Sequence, residues 1–257
     1  MRANPKAQRP QGRKRREGTS YHWDGLNTSL REVVQSSAIG DGATTKWVDR
    51  DNRNWNYTAP RAASSLRRIQ NYIENVQPPK YPFAIDQQLA AAGAQVYATQ
   101  CASCHAAGGA RTGTIIPAAE VGTDRHRLEM WTPASAAAYN AYGEGHDWKF
   151  SHFRSTDGYV SVPLDGVWLR APYLHNGSVP TLGALLDPVE QRPTHFWRGY
   201  DVYDPSLVGF VTDGPAAQKA GTSLDTSQPG NSNAGHTYGT SLPADSKRAL
   251  IEYLKTL

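Results

Sequence analysis

The chain has 257 residues with a formal charge of +4, and 39% of its residues are hydrophobic; its mean hydropathy is −0.60. That length supports one large domain or two small ones, and no run reaches the roughly 20 apolar residues a bilayer-spanning helix needs, which excludes a transmembrane segment. The positive charge is local: residues 1–16 carry seven Lys and Arg and no acid, and with these set aside the +4 becomes −3. Residues 1–20 therefore read as a solvated basic tail, and no nucleic-acid partner is expected.

After the tail, the chain contains a partial repeat. Residues 21–34 open Tyr-His-Trp-Asp-Gly-Leu-Asn-Thr-Ser-Leu, and residues 173–186 open Tyr-Leu-His-Asn-Gly-Ser-Val-Pro-Thr-Leu. Each has a Tyr, an Asp/Asn-Gly turn and a Ser/Thr-Leu that starts a short helical run. A second match keeps the same order: residues 65–73 parallel 246–254, with Tyr72/Tyr253, Ile73/Leu254 and Val76/Leu257 at equivalent helical positions. The expected organisation is a complete unit over residues 81–257, preceded over 21–80 by the back half of another and a proline linker at 77–83.

In the complete unit a helix is expected from Asp86 as N-cap, with Leu89, Gly93, Val96 and Tyr97 on one face. Gly93 would let a second helix approach closely. The expected partner starts near Pro243, with Asp245 in its first turn, Lys255 in its last, and an apolar stripe of Leu250, Tyr253, Leu254 and Leu257. From 106 to 242 the Gly, Pro and aromatic punctuation predicts long loops with short helices.

The most informative stretch is Cys101-Ala102-Ser103-Cys104-His105, which holds both cysteines of the chain. On one helical turn the two thiols share a side, where each can add across a haem vinyl group, and the histidine emerges under the ring as a proximal iron ligand. Structural zinc would need further ligands of the same kind, which the sequence lacks. A thioredoxin-like pair would leave the histidine without a role. One covalent haem c, with its iron, is expected per chain. Such attachment takes place outside the cytoplasm, so a periplasmic or secreted location is expected although the N-terminus lacks a signal peptide's apolar region. Cys101 lies 72 residues before Tyr173. The same interval measured back from Tyr21 falls about 50 residues upstream of Met1. The chain thus reads as starting partway through a longer protein, or at a misplaced start.

Several further stretches carry a family resemblance: Val121-Gly122-Thr123-Asp124, Pro163-Leu164-Asp165-Gly166-Val167-Trp168, Ala171-Pro172-Tyr173-Leu174-His175-Asn176-Gly177-Ser178, and residues 229–236 and 252–257. With the haem motif, they make residues 21–257 resemble bacterial di-haem c-type cytochromes of the cytochrome c peroxidase superfamily, closest to the rubber-oxygenase-like branch. The resemblance implies a mainly α, cytochrome c-like haem domain with long irregular loops, preceded by the back half of a second such unit. It also raises a calcium ion between two units, as in some relatives.

The sixth iron ligand is open among Met130 and the histidines at 22, 126, 146, 152, 175, 195 and 236. In the superfamily a ligand often lies between the Tyr…Gly turn and the C-terminal helix, the place of His236, in a loop with Gly230, Gly235 and Gly239. That implies Cys101, Cys104, His105 and His236 as haem-binding residues, with His105 and His236 on the metal. Met130 and His175 are the alternatives; Met130 also reads as core filler, and His175 as support for its turn. Two functions follow. One is single-electron transfer, as the electron-transfer half of a di-haem protein with a redox partner or adjoining haem domain. The other is membership of a haem peroxidase or polyisoprene-cleaving oxygenase whose active haem lies in a missing N-terminal unit. Residues 35–64 contain neither His nor Met, so that haem would be open on one side. Trp23, which takes the place of His175 in the repeat, is a candidate electron relay. An apo structural module is the third class.

Overall fold

The computed structural model describes residues 20–41, 46–48, 54–56, 59–145 and 149–257; residues 1–19 of the basic tail, part of 35–64, and His146 fall outside them. Two compact units emerge. Among the described residues, one is Ser29–Gln77 and the other joins Ser20–Thr28 to Pro78–Leu257. No helix of the described residues is long and apolar enough to cross a membrane.

The first unit contains helix α1 (Leu30–Gly40), an antiparallel ribbon of β1 (Lys46–Val48) and β2 (Asn54–Asn56), and helix α2 (Ala59–Asn75). Ser29 caps α1 by accepting from the Glu32 amide at 3.4 Å. Along α2 and just past it, Ile69, Tyr72 and Val76 are 48%, 70% and 53% exposed. These are the positions that the repeat pairs with Leu250, Tyr253 and Leu257.

The second unit runs α3 (Gln87–Gln100), α4 (Ala102–His105), β3 (Ile115–Pro117), α5 (Ala118–Val121), α6 (His126–Met130), α7 (Pro133–Ala141), β4 (Gly158–Val160), α8 (Leu182–Leu185), β5 (His195–Arg198), β6 (Tyr203–Asp204), β7 (Gly209–Phe210), α9 (Gly214–Ala220), β8 (Thr222–Asp225) and α10 (Ala244–Leu254). Its strands pair only as antiparallel ribbons, β3 with β4, β5 with β8 and β6 with β7. The architecture is mainly helical, with short ribbons tying down long connections.

The organising contact is α3 against α10. Asp86 caps α3, its carboxylate accepting from the Gln88 and Leu89 amides at 2.9 and 3.0 Å. A Cβ placed on Gly93 would lie 1.9 Å from the Ala249 carbonyl oxygen, so only glycine allows the backbones this close. Tyr97 packs on Tyr253 at 5.0 Å between ring centroids. The buried face of α3 is Ala90, Gly93 and Tyr97, while Leu89 stays 36% exposed. This corrects the expected stripe: the close crossing at Gly93 leaves room for the small Ala90 and turns Leu89 outward. Leu250 and Leu254 carry the α10 face into a core with Trp168, Tyr173, Val179 and Leu182.

Residues 20–28 and 78–80 belong with this second unit, whereas the sequence reading grouped them with the tail and the first unit. The reason lies in backbone bonding. Arg154 and Val160 donate their amides to the carbonyls of Leu26 and Trp23 at 2.8 and 2.9 Å, and Asn27, fully buried, bridges to Phe153. Ser20 is buried too, accepting from the Arg154 guanidinium at 2.9 Å. The proline segment is anchored rather than free: Tyr81 sits edge-on to Trp168 at 5.4 Å and donates its hydroxyl to the Pro205 carbonyl at 2.9 Å.

The two Tyr…Gly turns share a backbone as well as a sequence. Tyr21 bridges to Asn27, and Tyr173 to Val179. The second residue of each is left-handed without being glycine, His22 at φ +64° and Leu174 at +63°, and Gly25 and Gly177 both lie at +66°. Gly25 and Gly177 donate back to the carbonyls of His22 and Leu174 at 3.3 and 3.2 Å. Ser29 and Thr181 then cap the helices that follow. Residues of such different side chains adopt strained values at matching positions, which is hard to attribute to chance.

Candidate haem-binding site

The site begins where α3 ends. Cys101 is the C-cap of α3, its amide donating to the Tyr97 carbonyl at 2.9 Å, and the single turn of α4 then carries Cys104 and His105. Both thiols are half-buried and free. Burial, with the neighbouring Cys104, pushes the Cys101 thiol up to about 11. Redox-active Cys-x-x-Cys pairs instead depend on a depressed thiol pKa, the opposite direction to that of Cys101.

His105 is oriented by the main chain. Its Nδ1 lies 2.7 Å from the Val162 carbonyl oxygen. A carbonyl only accepts, so Nδ1 is the donor and Nε2 keeps its lone pair for a metal. Facing it is His236, with ring centroids 6.1 Å apart and planes tilted by 46°. Two imidazoles that share a metal through bonds of about 2 Å place their centroids about 6 Å apart. Burial depresses both pKa values; that of His236 falls to about 4, helped by the nearby His105. Both rings are therefore neutral at pH 7, the form that ligates. His236 Nδ1 is buried without a protein partner, and a buried orphan of this kind calls for an explanation. The residues present fit a haem iron between the two rings.

The loop that carries His236 is held from three sides. Its amide donates to the Val121 carbonyl at 2.8 Å, and its own φ is +46°. Gly235 before it lies at φ +83°, with space for a Cβ denied by the Thr123 amide nitrogen at 2.4 Å. On the second side, Asn176 donates to the carbonyls of Gly230 and Ser232 at 3.0 and 2.9 Å, and the Ser178 hydroxyl to Ser232 at 2.9 Å. On the third, the buried Arg192 reaches the carbonyls of Asn233 and Gly235 at 2.6 and 2.8 Å.

The alternative ligands are placed elsewhere. Met130 ends α6 and is 63% exposed. His175 stacks on Tyr159 at 4.3 Å, its Nε2 3.2 Å from the Tyr159 hydroxyl, which donates to the Asp124 carbonyl at 2.5 Å. His126 pairs with Asp124 at 3.0 Å, and His195 with the Ser223 hydroxyl at 2.6 Å. His22, beside Asp24, and His152 are both exposed. Trp23 is 46% exposed. Among the described residues no group of three or more His, Cys, Asp or Glu is placed to hold a metal ion, so nothing supports the calcium that the resemblance implied. Sequence reasoning missed Arg192, whose Gln-Arg-Pro surroundings carry no pattern, and the Val162 carbonyl, which no side-chain pattern can reveal.

Comparison with known proteins bears on the stretch that carries the haem motif and on the one that follows it. Residues 90–159 match the family described as cytochrome c, and residues 158–198 the family described as RoxA-like, cytochrome c-like. Two proteins of Sinorhizobium fredii are similar, the uncharacterized protein y4iJ at 31% identity and the uncharacterized protein y4iM at 32%, each over 73% of this chain. The alignments cover 42% and 53% of those proteins, so the chain spans about half the length of the curated relatives it matches. The helix-borne Cys-x-x-Cys-His and the two family matches support a c-type cytochrome related to the rubber-oxygenase-like branch.

Proposed function

We propose that Cys101 and Cys104 would join one haem c, that His105 and His236 would hold its iron, and that the protein transfers single electrons as one half of a di-haem arrangement. The observation that carries this reading is the His105–His236 pair, 6.1 Å apart, with a buried Nδ1 on His236 that no protein group satisfies. Haem iron supplies reversible one-electron chemistry when bound. The chain's own residues set the terms. Val162 fixes the His105 tautomer. With His236 on the iron, the braced loop would leave no position for oxygen or peroxide. Two imidazoles hold the potential below that of a His/Met centre, because thioether sulfur favours the ferrous state. Covalent attachment argues for a periplasmic or secreted protein.

The adjoining haem domain is supported by α2. Its outward Ile69, Tyr72 and Val76 repeat the positions through which α10 buries itself on α3, so this face suits an α3-like helix of another cytochrome c unit. The same observation supports a second reading, in which that other unit binds the catalytic haem of a peroxidase or alkene-cleaving oxygenase and this one feeds it electrons.

The test is a carbon monoxide difference spectrum of the reduced protein, matured with haem in a bacterial periplasm. No change is expected for the unaltered protein, and a carbonyl spectrum for His236→Ala. Carbon monoxide binding by the unaltered protein would overturn the ligation.

A further inference from the structure

Arg192 stands out among the buried polar groups. It is 2% exposed, and a guanidinium has five N–H donors. Each finds a main-chain carbonyl: Nε that of Asp187 at 3.2 Å, Nη1 those of Asn233 and Gly235 at 2.6 and 2.8 Å, and Nη2 those of Leu185 and His236 at 3.1 and 3.4 Å. One planar group thus clamps the end of α8 and Asp187 to Asn233, Gly235 and His236, three of the last four residues up to the ligand. Its charge is balanced only at longer range, by the Asp187 and Glu190 carboxylates, and Asp187 already faces Lys247 at 3.9 Å. Burying a cation without a hydrogen-bonded carboxylate is costly. If the loop needed only mechanical bracing, neutral donors such as Asn176 and Ser178 would serve, as they do next to it.

We propose that Arg192 is the positioning residue of the sixth-ligand loop, with two separable effects: its fork holds His236 on the iron, and its fixed charge beside that ligand raises the haem potential. The proposal rests on the bis-histidine reading above. A nearby positive charge favours the ferrous over the ferric state because reduction lowers the positive charge it faces. The fork acts through geometry. The five donors lie in one plane, and an ammonium with three donors on one nitrogen cannot span the same carbonyls.

Two variants separate the effects, each studied as the haem-loaded full chain beside the unaltered protein. Arg192→Lys keeps the charge and loses the fork; Arg192→Met loses both. Carbon monoxide binding by the reduced protein reads the fork, and the midpoint potential from a spectroscopic redox titration reads the charge. Both variants are expected to raise the carbon monoxide-reactive fraction about tenfold, which corresponds to about 1.4 kcal/mol of loop closure. Only Arg192→Met is expected to lower the potential. If Arg192→Met yields no haem protein, Arg192→Lys still decides: a lysine variant as inert to carbon monoxide as the unaltered chain overturns the clamp. Equal potentials for the methionine and unaltered proteins overturn the charge effect. Failure of the underlying reading looks different, because the unaltered protein itself would then bind carbon monoxide.

Discussion

Replacing Gly235 by alanine should open the sixth position, because this residue has no room for a side chain and stands next to His236. A Cβ there would lie 2.4 Å from the Thr123 amide nitrogen, 2.5 Å from the Gly122 carbonyl carbon and 2.7 Å from Thr123 Cα. All three are backbone atoms, so no rotamer change relieves the clash. Carbon contacts are normal at about 3.5 Å or more, which requires the loop to lift by about 1 Å. Overpacking of this kind costs about 1–3 kcal/mol, and alanine at φ +83° adds about 1 kcal/mol. A metal–nitrogen bond of about 2 Å does not survive a shift of half its length. Gly230 supplies the control. It has the same φ of +83°, but its nearest neighbour is the His126 side chain at 3.8 Å, so alanine there pays the backbone cost alone. At roughly 3 °C per kcal/mol for a chain of this size, Gly235→Ala should melt several degrees below Gly230→Ala. It should also bind carbon monoxide when reduced, while Gly230→Ala stays inert. Identical behaviour of the two variants would refute the claim that backbone contact at Thr123 holds His236.

Three further outcomes are expected. Gly93→Ala gains about 1 kcal/mol of helix propensity but forces α3 away from the Ala249 carbonyl, so its urea midpoint should fall; an unchanged or higher midpoint would mean that the crossing is loose. The double variant Cys101→Ala/Cys104→Ala should lose haem on a denaturing gel stained for haem, whereas either single variant should retain one thioether. Tyr72→Lys should change stability by less than about 0.5 kcal/mol, since that side chain is 70% exposed. Its repeat partner, in Tyr253→Lys, should cost at least about 2 kcal/mol by losing its packing on Tyr97; similar urea midpoints for the two would remove the contrast between α2 and α10.

Much of this was legible because it is written locally. The Asp86 cap, the glycine at the helix crossing and the α10 stripe each follow from a few adjacent residues with a helical period, and so does the Cys101–His105 turn. The unit boundary was not, because the Tyr21–Gly25 turn is related to Tyr173–Gly177 by sequence while its backbone bonds run to residues 153–160. Likeness reports the conformation of a turn; it does not report which unit that turn completes. His236 could be read only through its setting between a turn and a helix, since its own surroundings are glycine and small polar residues. Arg192 could not be read at all. Its partners are carbonyls, which every residue has, and its value comes from where the chain places five of them.

This placement gives the stretches that carry the resemblance a physical meaning that no single motif supplies. On the proposed ligation, one ligand sits next to the attachment site and the other arrives from a distant part of the chain. His105 is rigid through its helical turn and Val162. His236 arrives on a glycine-rich loop, and glycine raises the entropy that must be lost on ordering. The loop compensates with donors brought in from elements that are already fixed: the Val121–Thr123 backbone, the Asn176 and Ser178 turn, and the Arg192 fork. Two of those three stand in stretches that also carry the family resemblance, which on this reading is a record of how the sixth ligand is held. On the proposed ligation, a haem held from both faces would suit electron transfer and be a poor place for oxygen or peroxide. A catalytic partner haem, if the longer relatives use one, would then be recognised by the lack of such braces around its distal face.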